Sequence, residues 1–146
     1  MFLNELNIIE SKAFVNLVRE LADLDEIFAK EEAKLIEEYI DELSLREQDI
    51  EKQSLEEIKD VFNSSTDRIK KIVFFELIGL ALVDGEFEHK EEVYLKELAH
   101  DFNISFSRML AFVDFFRNIK SVYDFTVVDY ESKIKLIKEY AERLVS

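Results

Sequence analysis

Residues 72–83, IVFFELIGLALV, decide the fold. Apolar side chains on every side of a helix require burial on every side, so this run is predicted as the central helix of a bundle, from about Asp67 to Val83. It is well short of the roughly 20 apolar residues that a membrane-spanning helix needs, and Glu76 interrupts it. The segment that follows, DGEFEHKEEVYLKELAHDF (84–102), turns a glycine-bearing corner and then presents Leu95, Leu98 and Phe102 at helical spacing. A second helix is therefore expected from about Glu88 to Phe102.

Working outward, the chain offers few breaks. Its 146 residues include two glycines and no proline, cysteine or tryptophan. That scarcity of breakers argues for an all-α protein, and the length suits a single domain, 1–146. Helices are expected from about Leu6 to Leu24, with Phe14, Leu17, Val18, Leu21 and Ala22 inward, and from about Lys30 to Leu43. Ser54 and Glu57 have capping-box spacing and open a short helix to about Phe62. Ser105 caps a helix carrying Phe106, Met109, Leu110, Val113 and Phe116, and a last helix starts near Asp129. Residues 44–53 are polar, with room for a short helix. Val122–Val128, rich in β-branched and aromatic residues, is the one segment where a non-helical conformation is expected.

The chain also resembles itself at a displacement of 59 residues. Ala22, Asp25, Phe28 and Glu32 fall on Ala81, Asp84, Phe87 and Glu91, and Ile36, Leu43 and Leu45 fall on Leu95, Phe102 and Ile104. Two helical hairpins about an approximate two-fold axis, in halves of roughly 14–45 and 73–104, are the simplest reading. In each copy the Asp continues the apolar face of one helix and the Glu begins that of the next, so Asp25, Glu32, Asp84 and Glu91 are all expected to point inward. A carboxylate near a core must be paired, hydrogen-bonded, protonated or bound to a cation. Two readings stay open. The acids either serve only as caps and ion-pair partners, with Lys30, Arg68 or Lys71 at hand, or form a divalent-cation site. With oxygen ligands alone on offer, calcium or magnesium would suit it. Glu76 is expected to cap a neighbour or pair with a base.

Three stretches carry a family resemblance: the opening MFLNELNIIESKAFVNLV, the corner ALVDGEFEHKE (81–91) with the following LKELAHDFNIS, and the weaker copy LADLDEIFAKEEAKLIEEYIDEL. Together they resemble the TerB-like family, which includes tellurite resistance proteins of the TerB type. The resemblance implies an all-helical bundle of about seven helices with internal pseudo-symmetry. It also implies a stress-response or metal-resistance role and an acidic cluster associated with metal binding. Carried over by position, that cluster is Asp84 and Glu91, with Asp25 and Glu32 as counterparts. The first copy departs from the pattern, since Glu26 stands where Gly85 stands in the second.

Composition excludes several classes. A net charge of −14 opposes nucleic acid and anionic membrane surfaces. Without cysteine there is no thiolate nucleophile and no Cys-ligated zinc. No nucleophile–base constellation, phosphate loop or dinucleotide fingerprint is present, so no enzyme is expected. Residues 84–91 mimic the back half of an EF-hand loop, but Leu80 and Leu82 occupy the places of its first two ligands. The pairs Glu86/His89 and Glu97/His100 match a di-iron spacing, yet they lie about 16 Å apart along one helix. Met1–Glu10 lacks the basic residues of a targeting segment, which reads as cytoplasmic. The expected role is a non-catalytic module or a protein–protein adaptor, with oligomeric state open. Phe112 and Phe116 are expected in the core, leaving Phe115 as the candidate for an exposed partner patch.

Overall fold

A computed structural model describes residues 2–24, 29–82, 87–125 and 130–146, with the backbone alone described for 29–35, 120–125, 130–133 and 136. The described residues form seven α-helices and no strand: α1 (Ile8–Asp23), α2 (Ala29–Glu42), α3 (Leu55–Asn63), α4 (Asp67–Ala81), α5 (His89–Asp101), α6 (Phe106–Phe125) and α7 (Tyr130–Val145). The protein is an all-α helical bundle, and none of its described helices is long and apolar enough to cross a membrane.

Short polar side chains set the helix starts. Asn7 accepts from the Glu10 amide at 2.8 Å, while the Glu10 carboxylate accepts from the Asn7 amide at 3.0 Å. Ser54 and Glu57 make the same reciprocal box ahead of α3. Thr66 accepts from Ile69 N at 3.2 Å, and Ser105 from Arg108 N at 3.2 Å. Each cap of this kind stabilises a helix by about 1 kcal/mol.

The helix ends recur at the displacement read in the sequence. α2 closes with Ser44 in the left-handed region (φ 57°) and a Leu45 N–H to Ile40 C=O bond of 3.0 Å. α5 closes with Asn103 at φ 56° and an Ile104 N–H to Ala99 C=O bond of 2.8 Å. Both are Schellman ends, in which a residue tolerating positive φ lets the next amide reach back five residues. The starts of α1 and α4, and the ends of α2 and α5, also lie 59 residues apart.

One contiguous core draws on α1, α3, α4, α5, α6 and α7, with α2 packed against it. In α4, Ile72, Val73, Phe74, Phe75, Leu77 and Ile78 are all buried, as an apolar run on all sides requires. Phe75 sits among Phe112, Phe115 and Phe116 of α6, with ring centroids 5.6, 5.2 and 4.8 Å away. Gly79 lets α6 come close, since a Cβ there would lie 2.6 Å from Phe116 Cζ. α1 is buried more completely than its stripe predicts. Val15 joins Ile40 and Ile50 in a second small cluster, and Asn16 is buried beneath residues 51–53.

Two expectations need correction. α6 stays helical through Phe125, across the first part of the segment expected to be non-helical; residues 126–128 lie outside the described residues. Packing against both α4 and α7 outweighs the local preference of its β-branched and aromatic residues. Phe115 is not an exposed patch residue: it is 1 % exposed, between Phe75 and Tyr140 of α7. With α6 covered on two sides, a single apolar stripe cannot tell which ring faces out. In residues 44–53, the expected short helix is a single 3-10 turn, Glu47–Asp49.

Candidate functional site

The four acidic corner residues are reached unequally. Asp25 and Asp84 lie outside the described residues, and Glu32 is described only as part of the α2 backbone. Glu91 is 4 % exposed in the first turn of α5, where its Oε1 accepts from the Glu88 amide at 3.3 Å. A carboxylate there faces the positive end of its helix, which stabilises its charge. Among the described residues, no group of three or more His, Asp or Glu gathers as metal ligands do. Arg68 and Lys71, two of the cations weighed as partners for the corners, are engaged at the edge formed with α7. Arg68 makes two-pronged bonds to Glu5 (2.8 and 2.9 Å) and Glu142 (3.0 and 3.1 Å), and Lys71 Nζ donates to the Ser146 carbonyl at 3.1 Å. The guanidinium holds the Glu5 carboxyl below the ordinary carboxylate range.

Two half-buried carboxylates meet tyrosines. Glu76 on α4 takes a hydrogen bond from Tyr39 on α2, and Glu20 on α1 takes one from Tyr94 on α5 at 2.9 Å. Burial first, and the adjoining carboxylate next, push both phenols far above their usual range. They therefore act as neutral donors at any physiological pH. The sequence reading anticipates a partner for Glu76 but not that it is a tyrosine. The Tyr94–Glu20 pair escapes it, because neither residue stands out in its own helix.

A surface hollow of about 830 Å³ is lined by Phe2, Lys138, Glu139, Glu142 and Arg143. These charges are of both signs, and they include no nucleophile–base pair. A different surface has a more directed character. The turn joining α5 to α6 leaves the two helices side by side with a trough between them. One end, about 260 Å³, is lined by Phe87, Glu92, Lys96, Val113 and Arg117, among others; the other, about 380 Å³, by Ala99, His100, Ile104 and Ser105. Lys96, Phe106 and Met109 border both. Phe106 is 59 % exposed and Leu110 46 %. Lys96 stands 5.8 Å from the Phe106 ring centroid and pairs with Glu92 at 2.9 Å.

Phe106 and Leu110 share a helical apolar spacing with Met109 and Val113, which are buried, so spacing alone does not mark them as exposed. The signal that separates them is position. Both lie in the first turns of α6, before the stretch where Phe112, Phe115 and Phe116 meet α4. No protein-family model, curated protein or solved structure matches this chain.

Proposed function

We propose that this chain is a non-catalytic helical module that binds a protein partner through the α5–α6 trough. The observation that carries the reading is the exposure of Phe106 and Leu110 along a groove floored by Met109 and Val113. Large apolar side chains left to water on a groove are a binding signature, since covering each fully contributes about 1.5–3 kcal/mol. The test is selection of peptides from a library of amphipathic helices displayed against the intact protein. Phe106→Asp with Leu110→Asp is expected to weaken the selected peptides more than tenfold. The double variant should keep its unfolding free energy within about 1 kcal/mol, because surface sites tolerate such changes. Selected peptides that bind the double variant equally well would refute the assignment of this face, as would a library that yields none.

The TerB-like resemblance supports the non-catalytic reading and suggests a stress-response role in a bacterial cytoplasm. It also supports a second reading, a divalent cation held at the helical corners by Asp25, Glu32, Asp84 and Glu91. The burial of Glu91 at its corner favours this one. Glutamine at the third position of a capping box preserves the reciprocal bonds while removing the charge. Glu91→Gln is thus expected to leave thermal stability nearly unchanged and to abolish a saturable calorimetric signal with calcium, magnesium, zinc or manganese, as is Asp84→Asn. An intact protein that gives no such signal leaves Glu91 with its capping role alone.

A further inference from the structure

Building on the reading of the trough as a protein-binding face, we infer that its occupant is an acidic amphipathic helix of about three turns.

Length comes first. The lining residues of α6 run from Phe106 to Arg117, and those of α5 from Glu92 to His100. At 1.5 Å per residue these spans are about 16 and 12 Å. A helix lying along them contacts both walls over about three turns, with apolar anchors at the i, i+3 or i+4, i+7 spacing by which helices dock in grooves.

Charge comes second. The chain carries 33 acidic residues against 19 basic, so an average patch of its surface is negative. The trough departs from that average. Among the described residues its charged lining is Lys96, Arg117 and one carboxylate, Glu92, which pairs with Lys96; His100 lies at the turn end. Arg117 is exposed, and no ion pair engages it among the described residues. An incoming carboxylate therefore finds Arg117 at one end and the face of Lys96 near the middle. A cationic segment would meet Arg117 unfavourably and compete with Lys96 for Glu92. Electrostatic complementarity selects between otherwise similar apolar partners in this way.

The third point is preformation. Lys96 stands over the Phe106 ring, and Met109 and Val113 are anchored in the core. The apolar floor is thus in place before anything binds, which lowers the ordering cost of association.

Two fluorescent peptides with identical apolar positions separate the possibilities, one with glutamates and one with lysines on the flanks, measured by anisotropy in about 0.15 M salt. The glutamate peptide is expected to bind at least tenfold more tightly to the intact protein. Lys96→Glu with Arg117→Glu should reverse the order, and Phe106→Asp should abolish both interactions. Equal affinity, or a preference for the lysine peptide, overturns the charge assignment while the docking face stands. Absence of binding by both peptides, where library-selected peptides still require Phe106, overturns the inference but not the wider reading. Concentration-dependent self-association lost in Phe106→Asp, with no peptide binding, would make a second copy of this chain the occupant and overturn it as well.

Discussion

Replacing Phe75 with alanine is expected to lower the unfolding free energy by about 3–5 kcal/mol. Small domains retain only about 5–15 kcal/mol in total, so the variant should stand close to its unfolding threshold at 25 °C. The physical reason is the crowd around this ring. Phe75 is 1 % exposed, and Phe2, Phe112, Phe115 and Phe116 lie within 6.0 Å of it, centroid to centroid. Its removal leaves a hole bordered by several rigid rings, which cannot collapse into the space as a loop would. Phe112 also loses its edge-to-face partner and the other rings lose tilted ones, such pairs contributing about 0.5–1.5 kcal/mol beyond area. Urea denaturation followed by circular dichroism measures the loss. Phe106→Ala is the comparison, an aromatic truncation on an exposed site. A loss below about 1 kcal/mol for Phe75→Ala would show that the α4–α6 seam does not hold the bundle together.

Asn16→Leu is expected to cost about 2–3 kcal/mol although it adds apolar surface and keeps the number of side-chain heavy atoms. Asn16 is 3 % exposed in the middle of α1, and its amide serves residues far away in sequence. Its Nδ2 lies within donor distance of the carbonyls of Lys12 (3.1 Å) and Glu51 (3.0 Å) and of Gln53 Oε1 (3.0 Å), while Oδ1 accepts from Gln53 N at 3.4 Å. This one side chain pins the extended segment 50–53 across the helix. Leucine would leave those backbone groups without partners in a place water reaches poorly. Chemical denaturation gives the magnitude, and amide hydrogen exchange gives the location, with faster exchange expected at Gln53 than in α4. An unchanged midpoint would mean that the segment is held by Ile50 and its apolar neighbours alone.

The fold class and nearly every helix start are legible in the sequence, because caps are short-range chemistry. Asn7, Ser54, Thr66 and Ser105 each bond to an amide three residues on, so the signal and its effect lie within one turn. At the 59-residue displacement, the ends of α2 and α5 share one local geometry. Facing is harder to read. One stripe identifies a buried side only where a helix has a single neighbour. α6 packs against α4, α5 and α7, so Phe115 turns inward while Phe106 and Leu110, which share the apolar spacing of Met109 and Val113, stand in water. Asn16 defeats the same logic, since a polar residue among apolar ones normally marks the outer face. Here a returning strap of backbone supplies the acceptors. Of the corner acids, Glu91 is found buried, and the positions of Asp25, Asp84 and the Glu32 side chain fall outside the described residues.

The two tyrosine–carboxylate bonds have a bearing on how the molecule comes apart. Tyr39 lies on α2 and its acceptor on α4; Tyr94 lies on α5 and its acceptor on α1. Were the polypeptide cleaved between α3 and α4, each fragment would retain a half-covered phenol whose intended oxygen had left with the other. Both bonds thus tie α1–α3 to α4–α7, and a single cut there would sever them together.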